Sequence, residues 1–106
     1  MDRIVENQYK FDITKAQMKR IGFKYDYDLD DYVYKFPVYS YKNIPLVFCK
    51  LGIDEETKRV WLGMYDANNV MYSSYYDREY GKNSIIKNIE KAISKELNKL
   101  GVKKVN

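Results

Sequence analysis

Two apolar runs joined by a short polar segment occupy the middle of the chain. The first spans residues 44–53, the second spans residues 59–65, and residues 54–58 between them are all polar. This pattern predicts an antiparallel hairpin. Because the first run is apolar at consecutive positions, we expect both of its faces to be largely covered. The hairpin also contains the single cysteine, Cys49, and the single tryptophan, Trp61.

Apolar residues recur at intervals of three or four near the C-terminus, which predicts an amphipathic helix. Its apolar positions are Ile86, Ile89, Ile93, Leu97 and Leu100. Asn83 or Ser84 is the expected cap, and Gly101 is the expected end, with Val102 folding back on the last turn. The opposite side carries lysines spaced four residues apart, which are Lys87, Lys91, Lys95 and Lys99. We expect the apolar side to pack on the sheet and the lysines to face water.

A shorter helix is predicted from Thr14 to Ile21. Thr14 and Gln17 have the spacing of a capping box, and Gly22 suits the left-handed position that follows a helix. A helix of about two turns is unstable alone, so it must dock on the sheet. Residues 1–11 are polar with scattered apolar positions, and we interpret them as a loosely held lead-in.

The remaining strands are predicted from alternation. Tyr25 and Tyr27 alternate with charged residues, as in a half-exposed strand. A second strand follows the acidic turn 28–31, and Pro37 predicts that this strand is bulged or lies at an edge. Residues 70–74 are predicted to form a last short strand.

These elements together predict an α+β fold. The expected architecture is an antiparallel meander of four to five strands, with the short N-terminal helix and the long C-terminal helix packed on one face. The 106 residues are expected to form a single domain, 1–106.

The charge of the chain is concentrated near its C-terminus. The net charge is +4, and residues 82–106 alone contain seven lysines and two glutamates. This asymmetry predicts one basic face. No apolar run approaches the roughly 20 residues that span a bilayer, and residues 1–8 lack the apolar core of a signal peptide. We therefore expect a cytoplasmic protein without a membrane partner, in which Cys49 is a buried and inert thiol.

The residues that most enzymes use are missing from this composition. The chain contains no histidine and one cysteine, and neither common glycine-rich phosphate motif occurs. We therefore expect no catalytic residues, no metal site and no cofactor, although catalysis by carboxylates alone stays open. All acids are expected in turns, in the lead-in or on helix surfaces. Asp26, Asp28 and Asp30 form a D-x-D-x-D run, which we interpret as turn residues because the calcium-loop pattern fails at Asp31 and Pro37.

The most site-like stretch is the polar-aromatic segment 75–81, just before the long helix. Its candidate binding residues are Tyr75, Tyr76, Arg78 and Tyr80. Tyrosine and arginine dominate protein-interface hot spots, and a helix N-terminus favours anions. Alternatively, Arg78 pairs with a neighbouring acid and the tyrosines cover the end of the sheet.

Two further features are compatible with nucleic acid. The lysine row Lys87, Lys91, Lys95 and Lys99 could contact phosphates, although a solvated helix face has the same pattern. The twelve tyrosines could stack on bases, but tyrosine also suits half-buried strands and is favoured by AT-rich genomes.

The chain resembles small uncharacterised proteins of phages and mobile elements in low-GC bacteria. The resemblance lies in residues 21–23, residues 34–39 and residues 75–81 ahead of the lysine-rich helix. It implies an accessory protein that acts by binding, for example on a host factor.

The leading functional hypothesis is a non-enzymatic binding module with a macromolecular partner. A protein partner is ranked slightly ahead of nucleic acid. A third hypothesis is a site for a small anionic ligand, such as a nucleotide, near residues 75–84. The oligomeric state is left open by the sequence.

Overall fold

The central hairpin organises the fold, as the pattern of apolar runs predicts. The computed structural model describes residues 5–6, 9–54, 56–57, 59–72 and 84–104. Within these ranges the helices are α1 (Lys15–Ile21) and α2 (Ser84–Leu100). The strands are β1 (Val5–Glu6), β2 (Tyr9–Lys10), β3 (Lys24–Asp26), β4 (Asp31–Tyr41), β5 (Ile44–Ile53), β6 (Val60–Asp66) and β7 (Lys103–Lys104).

The described strands form a five-stranded antiparallel sheet in the order β1-β6-β5-β4-β3, and β2 pairs separately with β7. The predicted α+β meander with an N-terminal and a C-terminal helix is thereby confirmed. The interpretation of residues 1–11 as a loose lead-in is wrong where the structure describes them. Val5 pairs with Leu62, and Tyr9 pairs with Lys104. The apolar strand β6 would otherwise present an unpaired edge, and β1 covers part of it.

Strand β5 is only partly covered. Val47, Cys49 and Leu51 are buried, whereas residues 44–46 are exposed. The expectation that both faces of the whole run are covered is therefore wrong for its first three residues. The reason is strand length, because the pairing of β5 with β6 ends where Val47 meets Asp66.

Strand β4 is irregular near Pro37, as predicted. Its register with β5 shifts between Pro37 and Tyr39 and again between Tyr39 and Ser40. On its other side, β3 pairs only with residues 31–33. Residues 34–41 of β4 therefore form a sheet edge in the described part of the chain, interrupted by a proline and a bulge.

The predicted strand 70–74 is reduced to a single bridge in the described residues. Met71 pairs with Tyr65, and the N–H of Tyr72 donates to the carbonyl of Met64 at 2.8 Å. Residues 73 and 74 lie outside the described residues.

The start of α1 and the end of α2 have the predicted structure, whereas Asn83, a predicted cap of α2, lies outside the described residues. The Thr14 hydroxyl accepts a hydrogen bond from the backbone N–H of Gln17 at 3.2 Å. The side-chain amide oxygen of Gln17 accepts one from the backbone N–H of Thr14 at 2.9 Å, which completes the capping box. Helix α2 ends at Gly101, which has φ 86°, and the N–H of Val102 donates to the carbonyl of Leu97 at 2.9 Å. No helix in the described part of the chain is both long and apolar enough to cross a membrane.

The main core lies between the sheet and the helices. Alternation along the paired strands places Phe36, Cys49 and Met64 in one row of this face, and Ile89 and Ile93 of α2 belong to the same buried cluster. Burial raises the pKa of the Cys49 thiol far above its usual range. The predicted buried thiol is thereby confirmed.

The other side of the sheet is called here the second face. It comprises Asp31, Val33 and Lys35 of β4, Phe48, Lys50 and Gly52 of β5, and Trp61, Gly63 and Tyr65 of β6. Trp61 is only 2% exposed, yet it does not belong to the cluster that contains α2. The tryptophan therefore anchors the second face rather than the helix-covered core.

Candidate binding surfaces

The lysine row of α2 forms an exposed basic surface. Lys87, Lys91, Lys95 and Lys99 are all exposed, and Ile86, Ile89, Ile93 and Leu97 on the other side of the helix are buried. At about 100° per residue, the centre of the lysine row lies opposite the centre of the apolar row. No acidic residue projects between the lysines, because Glu90 and Glu96 flank the row. The predicted exposure is confirmed, and the role of these lysines in binding stays a prediction.

Glu96 attaches one flank of this basic surface to the sheet. Its carboxylate accepts a hydrogen bond from the hydroxyl of Tyr34 at 2.8 Å and lies 4.0 Å from the Nζ of Lys99. Burial, together with this hydrogen bond to a carboxylate, raises the pKa of Tyr34 to about 12. Glu96 is therefore engaged at the sheet, and three of the four lysines have no ion pair in the described part of the chain.

The candidate residues Tyr75, Tyr76, Arg78 and Tyr80 lie outside the described residues. Their role in binding stays a prediction.

The second face contains a buried acid that the sequence pattern did not reveal. The indole N–H of Trp61 donates to Asp31 Oδ2 at 2.7 Å, and Asp31 is 6% exposed. The expectation that every acid lies in a turn, in the lead-in or on a helix is therefore wrong for Asp31. A signal existed, because a buried indole needs an acceptor and Asp31 begins the alternating strand. The sequence alone did not pair two residues that lie 30 positions apart.

Two lysines of the second face lie against aromatic rings. Lys35 and Lys50 are cross-strand neighbours, and so are Phe48 and Tyr65 in the next row. The Nζ of Lys35 lies 4.5 Å from the centroid of the Phe48 ring, and the Nζ of Lys50 lies 4.2 Å from that of Tyr65. Lys50 is only 6% exposed. The sequence signal for these contacts was Lys50, a charged residue inside the otherwise apolar run 44–53.

The turn that contains the D-x-D-x-D run is held by its own acids. Asp26 Oδ1 accepts the N–H groups of Asp28 at 2.9 Å and Leu29 at 3.1 Å. The hydroxyl of Tyr25 donates to Asp30, and this bond is the main reason that the pKa of Tyr25 rises to about 12. The interpretation of these acids as turn residues agrees with this geometry.

A third surface is apolar and lies at one end of the sheet. We call it the apolar end, and it consists of Tyr41, Ile44, Leu46, Val70 and Met71. These side chains are between 38% and 62% exposed. The connecting residues Lys42 and Asn43 both have positive φ, which matches a tight two-residue hairpin turn. This surface was not predicted from the sequence, because the apolar run of β5 predicts a strand that is covered along its whole length.

No protein-family model matches the chain, and comparison with curated proteins and with solved structures finds no significant match.

Proposed function

We propose that this protein is a small non-enzymatic binding module whose partner is another protein. The observation that carries the proposal is the apolar end of the sheet. Exposed apolar side chains that occur singly are common on protein surfaces, whereas a cluster of them marks an interaction site.

The members of the apolar end come from two segments that the strand pairing brings to the same end of the sheet. Tyr41 pairs with Ile44 across the β4–β5 turn. Val70 accepts the N–H of Asp66 at 2.8 Å, and Asp66 pairs with Val47 at the last paired position of β5 and β6. The cluster therefore rests on hydrogen-bonded backbone, which lowers the entropic cost of ordering it on binding.

The surroundings of the apolar end define the chemistry of the partner. Lys42 lies in the turn itself with its Nζ 5.5 Å from the Tyr41 ring, and Lys35 lies farther along β4. A partner with an apolar centre and acidic residues around it complements this surface. Contact through side chains is favoured over addition of a strand, because Pro37 and the bulge interrupt the free edge of β4.

The test is a comparison of two surface variants in the native host. One variant combines Ile44→Ser with Val70→Ser at the apolar end, and the control combines Lys91→Ala with Lys95→Ala on α2. We expect a partner protein to co-purify with the wild type and with the control but to be lost from the apolar-end variant. Equal recovery with all three proteins would show that the apolar end is not the interface. Sedimentation of the pure wild type would reveal whether the partner is a second copy of the chain.

The basic surface of α2 favours a second candidate function, the binding of nucleic acid. Successive lysines of the row rise by about 6 Å along the helix, and Glu90 and Glu96 project to its two flanks rather than into it. Phosphate contacts of this kind predict affinity that falls steeply with salt. A gel shift at two salt concentrations distinguishes this function from the apolar contact, which should depend little on salt.

Several expectations stay predictions beside this proposal. They are the cytoplasmic setting, the accessory role in phages or mobile elements, and a small anionic ligand near residues 75–84. A protein partner that contacts both the apolar end and Arg78 would agree with the leading hypothesis.

A further inference from the structure

The end of the sheet that lies opposite the apolar end has a surface of different charge. Strands β4 and β5 join the two ends, because Tyr41 pairs with Ile44 at the apolar end and Tyr32 pairs with Ile53 at the other. The turns that follow β3 and β5 meet there in a groove of about 180 Å³, which is lined by Tyr25, Asp30, Asp31, Tyr32, Asp54 and Glu56. We call this surface the tyrosine end, and it consists of Tyr25, Tyr27, Asp30, Asp54 and Glu56.

Two exposed aromatic rings form the centre of the tyrosine end. The Tyr27 side chain is 88% exposed, and that of Tyr25 is 37% exposed. The two rings lie edge to face with their centroids 5.0 Å apart, and the hydroxyl of Tyr25 donates to Asp30. Tyrosine rings are enriched at protein interfaces because they bury a large apolar area and keep a polar tip in water.

Carboxylates surround these rings. Asp30 and Glu56 are exposed, and no ion pair joins either of them to a lysine or an arginine among the described residues. Lys15 and Arg59 also lie near this end, but the four acids that line the groove outnumber them. The tyrosine end therefore presents an aromatic centre with negative charge around it.

The apolar end has the opposite charge. Lys42 is exposed in the β4–β5 turn and has no ion pair in the part of the chain that the structure describes. Asp66 lies at the same end, but its carboxylate is engaged with the N–H groups of Asn68 and Val70 in its own turn. The apolar end therefore calls for a partner surface with an apolar centre and acids around it, and the tyrosine end of the same chain has both.

We propose that the partner of the apolar end is a second copy of this chain, which docks through its tyrosine end. The identity of this partner rests on the proposed function, because the same surface is used. Ile44 and Val70 of one copy contact the Tyr27 ring of the next copy. Lys42 lies beside the carboxylate of Glu56. An exposed ion pair adds little affinity, so the apolar contact supplies most of the stabilisation and the charges fix the orientation.

The contact joins two different surfaces and is therefore heterologous. The two surfaces lie at opposite ends of the same strands, so each docked copy keeps one of them free. Association consequently continues beyond a dimer, and it forms short linear assemblies whose length grows with protein concentration.

The test is sedimentation equilibrium of the pure full chain from micromolar to millimolar concentration. We expect the weight-average mass of the wild type to rise with concentration past that of a dimer. The apolar-end variant, Ile44→Ser with Val70→Ser, should stay monomeric, and so should a tyrosine-end variant, Tyr27→Ser with Glu56→Lys. An equimolar mixture of the two variants should form a dimer and nothing larger, because each variant supplies one intact surface and only one contact can form.

The matched control is the variant with Lys91→Ala and Lys95→Ala, which changes neither end of the sheet and should assemble like the wild type. In dilute solution the apolar-end and tyrosine-end variants should melt at the temperature of the wild type, since the substituted side chains are exposed.

A wild type that stays monomeric at millimolar concentration would overturn the proposal, and so would a mixture of the two variants that contains no dimer. A wild type that stops at a dimer would overturn it as well, because that result indicates an isologous contact. If the wild type is monomeric and a different protein is still lost from the apolar-end variant in the native host, the proposed function stands and only the identity of the partner is wrong.

Discussion

The indole of Trp61 lies directly on the backbone of Gly52 on the neighbouring strand. The two residues are cross-strand partners in the β5–β6 hairpin. A Cβ atom at position 52 would overlap the indole atoms Cε2, Cζ2 and Nε1. The glycine therefore provides the space in which the largest fully buried side chain of the described residues packs.

Gly52→Ala is expected to destabilise the protein strongly. The added methyl group meets a buried ring that is also fixed by its hydrogen bond to Asp31, and overpacking of this kind costs about 1–3 kcal/mol or more. Urea denaturation followed by the fluorescence of Trp61, the single tryptophan, measures the change. Gly101→Ala is the comparison, because no atom lies within 4 Å of its added Cβ and only its positive φ is strained. A Gly52→Ala midpoint equal to that of the wild type would contradict the packing described here.

Asp31→Ala is expected to lower the free energy of unfolding by about 1–3 kcal/mol, because it removes the acceptor of a buried indole N–H. Asp31→Asn should cost less, since its amide oxygen can still accept that hydrogen bond. Urea midpoints of the two variants, compared with wild type, provide the measurement. Equal losses for alanine and asparagine would mean that the negative charge of Asp31, rather than its bond to Trp61, supports the fold.

The parts of the fold that were predicted from the sequence depend on local signals. Thr14 and Gln17 are three residues apart, and Gly101 directly follows the last turn of α2, so both helix ends were found. The pairing of β1 with β6 joins residues more than 50 positions apart through only two pairs. A two-residue strand has no periodicity to detect, which is why it was missed.

The candidate surfaces also differ in whether local spacing in the sequence reveals them. The lysine row of α2 follows from helical spacing alone and was predicted. The hydrogen bond between Trp61 and Asp31 joins residues 30 positions apart through the register of three strands, and nothing in their spacing reveals it. The exposure of Ile44 and Leu46 depends on where β6 ends, because the same residues would be covered beside a longer partner strand.

Stability is expected to fall at high pH through Tyr34. Its pKa is raised by burial and by the hydrogen bond to Glu96, from 10.0 to about 12. A group whose pKa is higher in the folded state stabilises the protein fully below the unfolded pKa, and this contribution is lost as the pH rises through 10 towards 12. Tyr34→Phe should therefore show a smaller loss of stability between pH 9 and pH 12, in roughly the window set by these pKa values.

Tyr27→Phe serves as the control for this experiment, because its side chain is largely exposed. Its loss of stability over the same pH range should match that of the wild type. Thermal unfolding at each pH, with the wild type and both variants measured together, reports the difference. Parallel curves for Tyr34→Phe and the wild type would show that the Tyr34–Glu96 bond does not contribute.

Cys49 is expected not to react with thiol reagents in the folded protein. Its side chain is fully buried, so a reagent cannot reach the sulfur. Burial also holds the pKa of the thiol far above its usual range, so the reactive thiolate does not form. A colorimetric disulfide reagent at pH 8 should modify the thiol quickly in urea and only slowly in buffer. Rapid modification of the native protein would mean that β5 opens locally at the centre of the sheet.

The lysine row of α2 allows stability and binding to be separated. Replacing Lys91 and Lys95 with alanine removes all three like-charge contacts at a spacing of four residues within the row. Each such contact destabilises a helix by about 0.2–0.5 kcal/mol, so the double variant should be more stable than the wild type by about 0.5–1.5 kcal/mol. If the row binds nucleic acid, the same variant should show weaker binding in a gel shift and a shallower dependence on salt. Greater stability with reduced binding would indicate a row used for a ligand, whereas unchanged binding would leave the lysines as a solvated helix face.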